Sequence, residues 1–334
     1  MKNYKTFTKP RAWLKPIVTS ALVMGVFCPQ YTFAQVPARF YWKSLSGANA
    51  VPLIYESISG NTNPFDPSHS IQADANIDAS MAIAGYATTL SVFDHAAMLA
   101  VLLPMGNISS DITAAGLTTS QYANGYGDPM LEFDINLFGP SAQKNIPDAM
   151  RYEPGFSVDF LSDLALPVGA YDNTQELNLG QNRWYGRLGL PIIWQIGDWV
   201  PGRRTTLELL PAVWLFGDND DYVGKTMQTD ALYQLDAHIT RDFTEHFWGA
   251  IDGTWYKGGQ ATIGSVTSDT ELDNMGFGLT LGYQVNENMN LTAGYKSTIN
   301  DNDPSDLQMD VFMITIVYGW HNLIEGSRRL KEGL

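Results

Sequence analysis

The chain is expected to be all-β: an antiparallel transmembrane β-barrel of the outer-membrane kind, with twelve strands. Three observations predict it. Apolar and polar residues alternate with period two along repeated segments, the pattern of strands with two unlike faces. Most of those segments run to about ten residues or more, against a usual ~5–6 in soluble sheets. The connections between them alternate long and short, as in barrels whose short turns face the periplasm. Composition narrows the alternatives. With 45% hydrophobic and 12% aromatic residues the chain is too apolar for disorder. A net charge of −15 argues against a nucleic-acid partner. One Cys excludes a disulfide framework or a thiolate metal cluster.

Residues 1–15 carry Lys2, Lys5, Lys9, Arg11 and Lys15 and no acid, an apolar stretch follows from Ile17 to Phe27, and Tyr31-Thr32-Phe33-Ala34 ends on small residues. That is the plan of a signal peptide, cleaved after Ala34 and directing export. The apolar stretch is shorter than the ~20 residues that span a bilayer as a helix. Loss of these five cations takes the net charge from −15 to −20 and removes Cys28, the lone cysteine. No later run is apolar enough for a membrane helix, so a membrane-embedded mature chain has to be a closed barrel.

The strands follow in order near 51–59, 72–84, 91–103, 130–137, 153–166, 184–196, 204–216, 230–240, 246–257, 271–283, 289–296 and 308–320. In 72–84, Gln72, Asp74, Asn76, Asp78 and Ser80 oppose Ala73, Ala75, Ile77, Ala79 and Met81. In 230–240, Gln234, Asp236 and His238 oppose Tyr233, Leu235, Ala237 and Ile239. Long connections are expected at 60–70, 104–127, 167–183, 217–229, 258–270 and 300–307, with turns or a mid-length link between. The long loops hold eleven acids and only Arg183 and Lys225 as bases. Aromatics near strand ends (Tyr152, Trp184, Tyr185, Trp194, Trp199, Trp248, Trp255, Tyr318, Trp320) fit interfacial girdles. Alternation alone also fits a secreted β-sandwich. Strand length, loop alternation and girdles together favour the membrane.

Several stretches resemble the outer-membrane family "MetA-pathway of phenol degradation": SGANAVPLIY (46–55), GNTNPFDP (60–67), LLPMG (102–106), GYGDPMLEFDINLFGP (125–140) and LPVGAYD (166–172). The resemblance spans nearly all of the mature chain, and the GYGDP entry into a strand is its most specific part. It implies an outer-membrane barrel encoded near aromatic catabolism in some bacteria, with transport as the inferred role and no catalytic residues to carry over. Many outer-membrane barrels end on an aromatic; here Trp320 is followed by HNLIEGSRRLKEGL, so the barrel-insertion machinery has to read an internal signal near Tyr318–Trp320.

No motif supports an enzyme. The five His form no HExxH pair, no GxSxG elbow is present, and GDNDDYVGK lacks the ligand ladder of an EF-hand. No metal or other cofactor is expected. With apolar faces to lipid, the lumen receives Asp74, Asp78, Glu132, Asp134, Asp159, Asp163, Asp236 and His238, against few cations, chiefly Arg187 and Lys296. Such an interior repels anions and favours neutral or cationic solutes, unless the acids are paired and structural. Segments 204–216 and 308–320 are apolar on both faces, so Trp214, Phe216, Val311 and Met313 are candidates for an apolar inner wall.

The expected organisation is a cleaved leader (1–34), a periplasmic or plug segment (35–50), the barrel (51–320) and a periplasmic tail (321–334). The expected function is passive conduction of small aromatic or hydrophobic solutes by a monomer in contact with outer-membrane lipid and lipopolysaccharide. The alternatives are a weakly selective cation-preferring porin and a structural or adhesive surface barrel.

Overall fold

The computed structural model describes residues 37–322 except 73–74, 115–116, 270, 302 and 304. The expected leader, Asp74 and nearly all of the tail therefore lie outside the described residues. The elements are β1 (Asn49–Gly60), β2 (Ala75–Val92), β3 (His95–Ala114), β4 (Leu117–Tyr126), β5 (Met130–Phe138), α1 (Ile146–Arg151), β6 (Phe156–Ala165), β7 (Tyr185–Gly189), β8 (Ile192–Gln195) and β9 (Thr205–Phe216). They continue with β10 (Asn219–Tyr222), β11 (Lys225–Thr229), β12 (Leu232–Asp242), β13 (Phe247–Gly258), β14 (Ala261–Ile263), β15 (Val266–Thr267), β16 (Leu272–Gln284), β17 (Met289–Thr298) and β18 (Met309–Trp320).

Each strand pairs antiparallel with its neighbours, and β1 on β18 joins the ends of the chain's sheet. Two wall strands are interrupted. β4 and β5 follow one another along β3, split at Gly127-Asp128-Pro129. β7 and β8 follow one another between β6 and β9, split at Leu190-Pro191 opposite Pro211, where two residues lack an N–H to donate. Counted so, twelve antiparallel strands close the barrel. Closure leaves no sheet edge in the wall, which is what a bilayer requires.

The burial pattern is that of a soluble sheet turned inside out. Along β12, Gln234, Asp236, His238 and Thr240 are buried while Tyr233, Leu235 and Ile239 are exposed. On β13 and β16, Ile251, Leu279 and Leu281 are exposed beside buried Asp252 and Thr280. The exposed apolar row is the lipid-facing band of a membrane barrel. At the short-turn end, outer aromatics cluster in the pairs Tyr86–Trp320 (6.3 Å), Phe138–Phe156 (6.1 Å) and Phe243–Phe247 (5.4 Å). Two residues expected in girdles are not there: Tyr185 and Trp248 are buried, on the inner side of the wall.

Two loop expectations are corrected. The stretch 104–127 is a tall hairpin of β3 and β4, in register from Met105↔Tyr126 to Ala114↔Leu117. Its Ser- and Thr-rich sequence pairs as strand with little apolar alternation, Ile108 and its partner Ala123 being the residues that reach the apolar cluster. The loops after β9 and β13 contribute β10, β11, β14 and β15 to a separate four-stranded sheet. Opposite, the Val92–His95 turn is tight, with Phe93 and Asp94 both at positive φ (49° and 70°), the geometry of a two-residue type I′ hairpin.

Candidate functional site

The barrel interior is occupied from below by the segment preceding β1. Arg39 sits between the rings of Trp42 and Trp248, 4.3 Å from each centroid. Its Nη1 meets Asp242 Oδ1 at 2.7 Å, its Nε donates to Thr240 at 3.2 Å, and its backbone N–H donates to Glu208 Oε2 at 2.7 Å. Trp42 Nε1 donates to the other Glu208 oxygen at 2.7 Å. Four residues on, Lys43 Nζ pairs with Asp134 Oδ1 at 3.0 Å and also with Asp159. Around these pairs Tyr41 packs with Leu161, Ile193 and Leu210, joined by Phe40 and Ala212.

Glycine makes room for this seal. Trp248 stands across from Gly282, and a Cβ there would come within 2.0 Å of the indole ring. Only a residue without a side chain lets the ring lie flat on the strand and present its face to Arg39. Gly278 does the same for Lys296, whose Cγ would be 2.3 Å from an added Cβ.

From above, the connection between β1 and β2 folds into the mouth. Asn61 through Asp66 are buried. Asp66 receives both oxygens' bonds from Arg183 Nη2, at 2.9 and 3.0 Å. Asn63 donates to Asn178 O at 2.7 Å, and Asn61 to Asp306 O at 2.8 Å. Asp128, in the break between β4 and β5, accepts from the backbone N–H of Gly169 (2.8 Å) and Gln181 (2.7 Å). It thereby clamps the β6–β7 connection over the mouth. The stretches GNTNPFDP, GYGDP and LPVGAYD, far apart in sequence, thus meet in one roof. His69 is buried against the Tyr256 ring (5.0 Å), and burial, partly opposed by Asp66, lowers its imidazole to about 3.

Between floor and roof lies a chamber with a cavity volume of about 160 Å³. Pro37 and Phe40 border it below; Pro64, Phe65, Pro67 and His69 border it above. One wall is apolar: Ile54 of β1, Met81 and Ile83 of β2, Leu102 and Pro104 of β3. The facing wall carries Glu132, Arg187, Trp214 and Gln234, and Glu56 projects from within the apolar wall. Registers Glu132↔Asp163, Asp163↔Arg187 and Arg187↔Trp214 place four of the expected residues in one row across β5, β6, β7 and β9.

The structure brings most of the expected residues inside and gives most of the acids partners. Asp163 pairs with Arg187 Nε at 2.6 Å, and Arg187 stacks over Trp214 at 5.0 Å. Asp134 and Asp159 hold Lys43. Asp236 accepts from Thr254 and Gln234, each at 2.7 Å. His238 meets Asp252 at 2.5 Å, and Asp252 also accepts from Thr280 at 2.6 Å. Lys296 is buried within electrostatic reach of Asp252, Asp236 and Glu56. Val311 and Met313 join Ile54, Ile58, Met81 and Trp214 in one apolar cluster, with Phe216 packed against it.

Asp78 differs from the expectation. It is exposed on the outer face of β2, while Ile77, Ala79 and Met81 of the expected lipid face point inward. The physical reason lies in position: this end of β2 stands at the loop end, where the outside is wet and the inside is filled by the roof. Glu56, Glu208, Asp242 and Asp252 were not expected as interior acids. Two of them share an alternating face with a residue that was: Glu208 with Trp214 along β9 and Asp242 with His238 along β12. Asp252 has no such neighbour on β13. Glu56 gave less signal, since both faces of its strand are mainly apolar.

Among the described residues no group of three or more His, Cys, Asp or Glu is arranged to hold a metal, and no helix is long and apolar enough to cross a membrane.

The fold is similar to that of a COG4313 outer membrane channel from Pseudomonas putida F1, with a TM-score of 0.68 and 18% identity over 86% of this chain and 100% of that one. Two other barrels align less closely. A Pseudomonas aeruginosa FadL homologue gives a TM-score of 0.40 at 9% identity, covering 82% of this chain and 90% of that one. The TodX deltaS2S3 mutant monoaromatic hydrocarbon channel gives 0.46 at 11%, covering 87% and 95%. No curated protein matches the sequence. The family profile described as "Putative MetA-pathway of phenol degradation" matches residues 57–315.

Proposed function

This chain belongs to the MetA-pathway of phenol degradation family, and from that premise we propose that it is an outer-membrane channel passively conducting small aromatic or otherwise hydrophobic solutes. The observation that carries this reading is the chamber: a space lined by Ile54, Met81, Ile83, Leu102, Tyr185 and Trp214, bordered by Pro37 and Phe40 below and by Phe65 and His69 above. Water is poorly held against such a wall, whereas an apolar solute gains roughly 25 cal/mol for each Å² it removes from water. Segment 37–43 bars the lumen to bulk flow, so passage requires the floor or the roof to yield. Both are held by ion pairs and hydrogen bonds, which local motion exchanges for water.

The interior acids favour a second reading, a weakly selective cation-preferring porin. The floor counts against it, because Arg39 and Lys43 neutralise the acids a cation would follow. A structural surface barrel would need neither chamber nor roof. Lipid, lipopolysaccharide and the barrel-insertion machinery are the partners this reading implies, and the protomer acts alone.

Uptake tests the proposal. A strain lacking the protein should take up a radiolabelled aromatic at limiting concentration several-fold more slowly than its parent, with saturation in the parent. Equal uptake and equal growth would favour the structural role.

A further inference from the structure

The chamber is apolar, yet the charges around it do not balance. Among the described residues eleven carboxylates are buried. Six basic side chains reach them: Arg39, Lys43, Arg183, Arg187 and Arg204 through ion pairs and Lys296 through its field. Most of these cations are committed away from the chamber. Lys43 serves two aspartates in the floor, and Arg183 is held by Asp66 in the roof. Lys296 divides its attraction among Asp252, Asp236 and Glu56. Arg187, the cation that does line the chamber, is bonded to Asp163.

Two carboxylates bordering the space each hold a buried oxygen with unmet capacity. Glu56 is 1% exposed and Glu132 is 3% exposed, and both line the chamber. Among the described residues Glu56 Oε2 and Glu132 Oε1 accept no hydrogen bond. A buried acceptor without a donor is costly, and more so when it is charged. The deficit has a chemical complement. An ammonium group brings a positive charge and three donors, and the aromatic faces of Trp214, Tyr185 and Tyr256 in the same lining attract a cation.

We propose that the chamber binds an amine: a solute with an apolar, aromatic body against the Ile54–Met81–Ile83 wall and a cationic head received by Glu56 and Glu132. This deepens the channel reading and rests on it. A neutral alcohol of the same shape supplies one donor and no charge, and a carboxylate brings no donor to either oxygen.

The test is direct binding to the purified full chain in detergent by calorimetry, using phenethylamine, phenethyl alcohol and phenylacetate. The amine should bind on the order of tenfold more tightly than the alcohol, the difference one charge-assisted hydrogen bond makes, with phenylacetate weakest. Glu56→Gln and Glu132→Gln together should lower the amine's affinity about tenfold and so erase its advantage over the alcohol. Correct folding of the variant is checked by its heat-dependent mobility on gels. If the variant does not fold, the wild-type ranking decides alone. Alcohol binding equal to or tighter than amine binding overturns the amine assignment and leaves the channel reading standing, as does an advantage that survives both substitutions. Absence of binding by all three overturns both.

Discussion

The two halves of the barrel wall solve the problem of a filled lumen in opposite ways. On β18, β1 and β2 the inner face is apolar, with Met309, Val311, Met313, Ile54, Ile58, Ile77 and Met81 in one cluster. On β5 through β13 the inner face is polar, with acids held by Arg187, by the segment before β1 and by one another's neighbours. The apolar half is stabilised by burial alone, whereas the polar half depends on each charge keeping its partner. Removing a partner from a buried pair therefore costs far more than trimming a methyl group that already borders empty space. The lesson concerns stability and passage together. The polar half fixes the floor, and the apolar half lines the chamber.

The sharpest way to break the comparison is Arg187→Ala. It leaves Asp163 and Glu132 beside one another without their cation, and should lower stability by about 3–5 kcal/mol, seen as a lower unfolding midpoint in detergent. Met81→Ala, on the apolar half, should cost about 2 kcal/mol, the low end for such truncations because the chamber already borders the side chain. It should also weaken binding of an aromatic solute, measured by calorimetry. A larger loss for Met81→Ala than for Arg187→Ala would reverse the ranking of the two halves.

Gly282→Ala probes how the polar half supports the floor. The added methyl drives Trp248 off the strand and opens the stack on Arg39. We expect a loss of roughly 1–3 kcal/mol, as for other overpacked sites, together with an ionic leak that the parent lacks. A stable variant without a leak would mean that Trp248 does not hold the floor.

A further effect, spread over several pH units, concerns the roof. His69 titrates at about 3 in place, below the ordinary imidazole value. The undocked loop accordingly binds a proton that the docked loop refuses. Docking is fully favoured above pH about 6.5 and weakens as pH falls from there toward 3, by at most about 1.4 kcal/mol per unit. Protease cleavage or hydrogen exchange in 61–71 should rise on acidification through that window, and His69→Phe should flatten the response.

Much of the wall was legible from period two because strands such as β12 put unlike residues on their two faces. Asp236 and His238 could be sent inward from Leu235 and Ile239 alone. The rule failed on β2, where both faces have a reason to be what they are: Asp78 meets water at the loop end, and Ile77 meets the roof. Local alternation reports that two faces differ, and position along the barrel decides which way they point. The tall β3–β4 hairpin escaped for a related reason, since strands rich in Ser and Thr, with apolar residues as sparse as Ile108 and Ala123, carry no apolar stripe. GNTNPFDP and GYGDP were recognisable as stretches of a family. That Asp66, Asn63 and Asp128 would converge on one roof depends on contacts spanning more than fifty residues, such as Asp128 to Gln181 and Asp66 to Arg183.

The central claim is that floor and roof close this lumen to free ion flow while leaving an apolar chamber between them. Planar-bilayer recording of the wild-type chain tests it most directly. Small currents are expected, rising when Arg39→Ala and Lys43→Ala remove the ties of segment 37–43 to Asp242, Asp134 and Asp159. Large, ohmic, cation-selective currents through the wild-type chain would contradict it.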